Sequence, residues 1–146
     1  MTETEASRGF RGYIGSRPLG DDDGHRVPQH VQNLVIRDYA SRHGLTYRLS
    51  AVEYAMPGCF LMLEQVLSEL EDSQGIIAYS LFMLPRSATR RARIWQRLLE
   101  TGSSLHAAIE EQVLAGPSDI ERLETLFQVN SALAHAWRPM APSEGL

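Results

Sequence analysis

The stretch Gly75-Ile-Ile-Ala-Tyr-Ser-Leu81 decides the reading of the fold. It carries no charge and follows the polar turn Asp72-Ser73-Gln74. A continuous apolar run this short marks a central strand covered on both faces, as parallel sheets require. The segments on either side alternate in character. Upstream, Phe10–Ile14 reads as a strand, and Pro28 fits the first turn of a helix. Val31, Leu34, Val35 and Tyr39 fall on one face of that helix, and Gly44 ends it. Thr46–Leu49 reads as a second strand. Phe60, Leu63, Val66, Leu67 and Leu70 line a second helix.

Downstream, Ser87 can cap a helix carrying Ile94, Trp95, Leu98 and Leu99, with Gly102 closing it. Ser104–Ile109 reads as a fourth strand. Ser118-Asp-Ile-Glu121 matches a capping box that opens a long last helix containing Ile120, Leu123, Phe127, Leu133 and Trp137. Strands alternating with helices predict an α/β fold with a mainly parallel sheet, helices on both faces and a long C-terminal helix. The expected organisation is one domain over residues 10–137, with loose tails at 1–9 and 138–146.

The 146 residues suffice for one core and carry a net charge of −4. Cys59 is the lone cysteine, so no internal disulfide can form. No apolar run is long enough to span a bilayer, so no membrane partner is expected. The polar start MTETEASRG lacks a signal-peptide core, which leads to the expectation of a cytoplasmic protein. An acidic balance disfavours nucleic acid as a partner, because phosphate neutralisation supplies most of such affinity. Arg90, Arg91, Arg93 and Arg97 form a local basic cluster, read mainly as a solvated helix face.

In such sheets ligands bind beyond the carboxyl ends of the strands. That singles out the loops Gly15–Val27, Ala51–Cys59 and Phe82–Arg86. Arg17, Arg26 and Arg86 would then suit an anionic ligand, or else pair with Asp21, Asp22 and Asp23. His25 and His30 are too far apart in register to share a metal, and none is expected. His30 is a candidate general acid or base, the alternative being a polar helix start. Glu53 could act as a base or hold sugar hydroxyls. Cys59, before a helix, is a candidate nucleophile or a small buried apolar residue. Tyr79 could move protons or simply be a buried tyrosine with a hydroxyl partner. Tyr13, Ser16, Gln29, Asn33, Tyr54, Ser80 and Glu110 complete the candidate binding shell. Gln32 is placed to hydrogen-bond nearby loops. No GxGxxG, P-loop or GxSxG pattern occurs, and no cofactor is expected.

The order GYIGSRP…VQNLVIRDYASRHGL…EYAMPG…LSELEDSQGIIAYSLFMLPRS…LLETGSSLHAAIE resembles the catalytic domain of serine recombinases, the resolvase and invertase family. That resemblance implies a flavodoxin-like strand order and matches the family's first-helix glutamine to Gln32. The family's nucleophilic serine falls on Arg17, or on Ser16 with one deletion. Its first-strand arginine is replaced by Gly15. Its Asp-Arg pair after the third strand becomes Phe82-Met83, with Arg86 retained. GYIGSRP, VPQHVQNLVIRDY, LSAVEYAMPGC and IIAYSLFMLP also resemble the sporadic carbohydrate cluster family, which implies bacterial carbohydrate or sugar-derived metabolite biosynthesis.

Together these readings lead to an expectation of a cofactor-independent isomerase, epimerase or lyase. It would act by proton transfer on an anionic, sugar-like small molecule. A homodimer through the C-terminal helix is also expected, as the recombinase resemblance implies. A non-catalytic subunit of a biosynthetic enzyme is the alternative, and residual nucleic-acid binding the third reading.

Overall fold

A computed structural model describes residues 8–16 and 26–136. The expected Gly75–Leu81 strand is there as β3 (Gly75–Ala78), and all four residues are buried. It lies at the centre of a five-stranded sheet with β1 (Phe10–Gly15), β2 (Tyr47–Glu53), β4 (Ser104–Ala107) and β5 (Gln112–Leu114). The order is β2-β1-β3-β4-β5; the first four strands run parallel, and β5 pairs antiparallel with β4. Gly75 is obligatory, since a Cβ there would collide with the carbonyl oxygen of Ser104 on β4.

Four helices cover the sheet: α1 (Gln29–Arg42), α2 (Leu61–Ser68), α3 (Ala88–Thr101) and α4 (Ile120–Ala136). Right-handed crossovers send α1 to one face, because β2 lies on the opposite side of β1 from β3. The same rule sends α2 and α3 to the other face. The expected α/β architecture, with its long C-terminal helix, is therefore present.

Some boundaries differ from the sequence reading. The second strand runs on to Glu53, so Ala51–Glu53 belongs to the sheet rather than to a loop. Pairing with β1 over Gly12–Gly15 carries it there. The central strand stops at Ala78, because Leu81–Met83 turns as a 3₁₀ helix. The fourth strand stops at Ala107, and β5 follows it within a few residues. At the start of α4 the capping carboxylate belongs to Asp119, not Glu121. Asp119 Oδ2 accepts from the amides of Ala115 (2.9 Å) and Gly116 (3.1 Å). Those bonds and Arg122 hold the Asp119 carboxyl below its usual range. Ser87 does cap α3, accepting from Arg90 N at 3.2 Å, and Gly102 closes it at φ 66°. Residues 1–7, Trp137 and the tail 138–146 lie outside the described residues.

On the α1 face a buried polar chain crosses the core. Tyr39 Oη lies 2.8 Å from His106 Nδ1, and Ser104 Oγ lies 3.2 Å from Nε2. A neutral imidazole satisfies both, accepting the tyrosine proton and donating to the serine. Phe10 meets the His106 ring edge-on at 5.3 Å, and His43 stacks on Tyr39. Burial, with the charge of His43, pushes the His106 pKa down to about 4.

On the opposite face Arg91 ties three segments together. Its Nε and Nη2 donate to Glu124 of α4 at 2.9 and 2.8 Å. Its Nη1 donates to the carbonyls of Pro85 and Arg86, at 3.0 and 2.6 Å. Trp95 Nε1 donates to the same carboxylate at 2.9 Å, and the guanidinium lies 3.9 Å from the centroid of the Phe127 ring. The Arg91 bonds, then Trp95, hold the Glu124 carboxyl below its usual value against the cost of its burial.

Two outcomes follow for stability. An unfolded imidazole takes a proton near pH 6.5, whereas folded His106 does so at about 4. Between those values the unfolded chain binds the extra proton. Stability should therefore fall as pH drops from about 7 towards 4, by at most about 3 kcal/mol, and level off below that. Urea denaturation of His106→Gln beside the parent should show a shallower pH slope in the variant; equal slopes would refute the assignment. Removing one partner of the Arg91 clamp should cost more than a surface pair does. Arg91→Ala should lose about 3 kcal/mol by the same measurement, while Arg42→Ala, from an exposed pair, should lose less than about 1.

Candidate functional site

The carboxyl ends of β1, β3 and β4 and the turns after them form one rim, with α2 and α3 beginning beside it. Ser16 stands there, half-buried, directly after β1. Gln32 holds the end of β1 from α1. Its Nε2 donates to Gly15 O at 2.6 Å and to Val27 O at 2.8 Å, and its Oε1 accepts from Gly15 N at 3.1 Å. It is 3 % exposed, so a single amide fixes both the exit of β1 and the entry to α1.

Glu53 ends β2 and is 2 % exposed. Tyr13 Oη donates to its Oε1 at 2.8 Å, and Leu63 N does so at 3.0 Å. Tyr54 N and Met62 N donate to Oε2, at 3.1 and 3.0 Å. The carboxylate thus satisfies two orphan amides of the α2 N-terminus, where negative charge is favoured. Tyr13 is wholly buried beneath it.

A second carboxylate does similar work after β3. Glu110 accepts from Ser80 Oγ and Leu81 N, both at 2.7 Å. Ser80 Oγ also accepts from Phe82 N at 3.2 Å, closing the 3₁₀ turn. Tyr79 is 8 % exposed, and burial, followed by the Glu110 charge, raises its pKa. Its phenol therefore stays protonated near neutrality.

The other candidates are spread out. Arg26, Gln29 and His30 are exposed around the start of α1. Asn33 faces the sheet edge instead, where its Oδ1 accepts from Ser50 Oγ at 2.6 Å and from Tyr47 Oη at 3.4 Å. Cys59 is a half-buried free thiol two residues before α2, and its amide donates to Met56 O at 3.2 Å. Tyr54 and Arg86 are exposed. Arg17 and His25 lie outside the described residues. Among the described residues no three His, Cys, Asp or Glu side chains gather as a metal site, and no helix is long and apolar enough to cross a membrane.

Sequence reasoning missed Arg91, which had been grouped with a solvated arginine face and is 5 % exposed. The signal was present: Arg91, Ile94, Trp95 and Leu98 recur at i, i+3, i+4 and i+7, and all four are buried. Arg93 does point outward, while Arg90 lies 4.8 Å from the Phe60 ring centroid and 3.9 Å from Glu64.

Known structures share this fold. A resolvase family site-specific recombinase from Streptococcus pneumoniae superposes with a TM-score of 0.59 at 10% identity. The match covers 87% of this chain and 91% of that one. The N-terminal catalytic domain of TP901-1 integrase superposes with a TM-score of 0.53 at 15% identity, over 88% of this chain and 99% of that one. No protein-family model matches the sequence, and no curated protein does.

These findings correct two expectations. The carbohydrate-directed isomerase, epimerase or lyase rested on the sporadic carbohydrate cluster resemblance, which no family or sequence match supports. The folds that do match are recombinase and integrase catalytic domains, and the anionic sugar-like substrate falls with that reading. The expectation that disfavoured nucleic acid is withdrawn as well: it averaged charge over the whole chain, and the structures that share this fold are a site-specific recombinase and an integrase catalytic domain.

The hydrogen bonds of Glu53 carry a direct expectation. Glu53→Gln keeps the shape but puts an amide donor against donors, and should cost about 2–3 kcal/mol in urea denaturation. Amide exchange at Met62 and Leu63 should quicken in the variant. Unchanged stability would mean that the carboxylate does not anchor α2.

Proposed function

We propose that the protein binds DNA along the carboxyl rim of its sheet, gripping the phosphate backbone without cutting it. One neighbour is named for site-specific recombination, a reaction of DNA, and the other is an integrase catalytic domain. The observation that carries the reading is the placement of arginine on this fold. Arg26 and Arg86 are exposed at the rim, and Arg90 and Arg93 continue the basic surface along α3. The near carboxylates Glu53 and Glu110 are turned inward onto backbone amides and hydroxyls and do not offset these arginines; the exposed acid Glu64 meets Arg90, at 3.9 Å. A cytoplasmic setting fits this reading.

The end of β1 is not built for cutting. Phosphoryl transfer needs cations preorganised around the transferring group. The positions that resemble the recombinase Asp-Arg pair hold Phe82, whose ring meets Phe127 at 5.3 Å, and buried Met83. A Cβ on Gly15 would sit 3.5 Å from Met83 Cε. The Met83 thioether thus packs by Gly15, the position that replaces the recombinase first-strand arginine, and among the described residues no charged clamp stands there.

Fluorescence anisotropy with a labelled duplex tests the reading. Engaging roughly three phosphates should weaken binding on the order of 40-fold between 50 and 200 mM salt. Arg86→Ala/Arg93→Ala should lower both affinity and salt slope. No salt-dependent binding at 50 mM would overturn the proposal. A covalent protein–DNA adduct that disappears in Ser16→Ala would overturn its non-cleaving part.

A further inference from the structure

The segment Tyr54-Ala-Met-Pro-Gly-Cys-Phe-Leu-Met-Leu63 has no charged residue, yet much of it faces water. Tyr54 is 51 %, Met56 60 % and Leu61 59 % exposed. The amides of Tyr54 and Met62 share the single oxygen Oε2 of Glu53, which brings the two ends of the segment together. The Cys59 amide bonded to Met56 O closes the turn between them. The result is a raised apolar and aromatic surface held from beneath by a buried carboxylate. Arg90 lies over the Phe60 ring at one side of it, and Arg86 precedes Arg90 by four residues at the start of α3.

We infer that this surface is a stacking platform for unpaired bases, so that the nucleic acid held at the rim is single-stranded where it crosses α2. The inference rests on the DNA-binding reading and specifies the form of the ligand. Two demands meet here: exposed Tyr54, Met56 and Leu61 call for flat apolar partners, and the arginines at the start of α3, of which Arg90 is offset by Glu64 at 3.9 Å, favour an anion. A single strand supplies both, base faces on one side and phosphates on the other. A duplex offers phosphates but keeps its base faces stacked inside. Guanidinium groups also stack on bases, so Arg90 can serve both parts of the ligand.

The test compares a labelled oligothymidylate with a duplex of equal length at one salt concentration. The single strand should bind about tenfold more tightly. Tyr54→Ala should weaken single-strand binding by about tenfold, with duplex affinity and salt slope within twofold of the parent, and Tyr54→Trp should restore it. Circular dichroism and urea denaturation would show that Tyr54→Ala remains folded, as its exposure predicts. Equal affinity for both forms, or an equal loss on both in Tyr54→Ala, would overturn the platform and leave the backbone-binding reading standing. Failure of both forms to bind in a salt-dependent way would overturn both.

Discussion

A carboxylate removed from water has to be met by donors on both oxygens, or the fold that buries it will not form. Glu53 imposes that constraint here. Its donors come from β1 through Tyr13, from the chain leaving β2 through Tyr54, and from the first turn of α2 through Met62 and Leu63. The four bonds converge only if β1 and β2 lie in register and α2 starts at one place. The register Ile14↔Val52 and Gly15↔Glu53 supplies the first condition. The second fixes where the exposed Tyr54–Leu61 surface stands, so a buried acid sets the geometry of the rim's most apolar feature.

The same pattern recurs around the rim. Gln32 bonds its amide to Gly15 and Val27, Glu110 holds the turn after β3 with its carboxylate, and the Arg91 guanidinium donates to two carbonyls and Glu124. Loops at the end of a parallel sheet leave many backbone groups without ladder partners. Buried polar side chains are the means by which such loops are held. The carboxylates Glu53 and Glu110 are for that reason tied to backbone amides, whereas Arg26, His30 and Tyr54 face solvent.

The sequence made the fold legible because β3 is apolar throughout and helical periods separate it from its neighbours. Ser87 and Gly102 marked the ends of α3 correctly because caps are local chemistry. β5 was not legible: three residues are too few to show a period, and their pairing with β4 is tertiary. The site was harder to read, since Glu53, Ser80 and Glu110 have the composition of a catalytic cluster. Whether a carboxylate faces a ligand or a helix N-terminus depends on a strand end, and the end of β2 was placed too early. Arg91 shows that a charged residue within an apolar helical period can belong to the core.

Among the described side chains of helix α4, those that pack inward lie in its first half. Leu123, Glu124 and Phe127 face inward, whereas Gln128 to Leu133 are exposed, Val129 and Leu133 among them. The nine residues from Gln128 to Ala136 extend about 14 Å past the fastening. Such an extension is a lever arm whose fulcrum is the Glu124–Arg91 contact. On the far side of that fulcrum Arg91 grips the carbonyl of Arg86 at 2.6 Å. Torque applied to α4 beyond Gln128 is therefore delivered to the backbone that carries a rim arginine, with one guanidinium as the linkage.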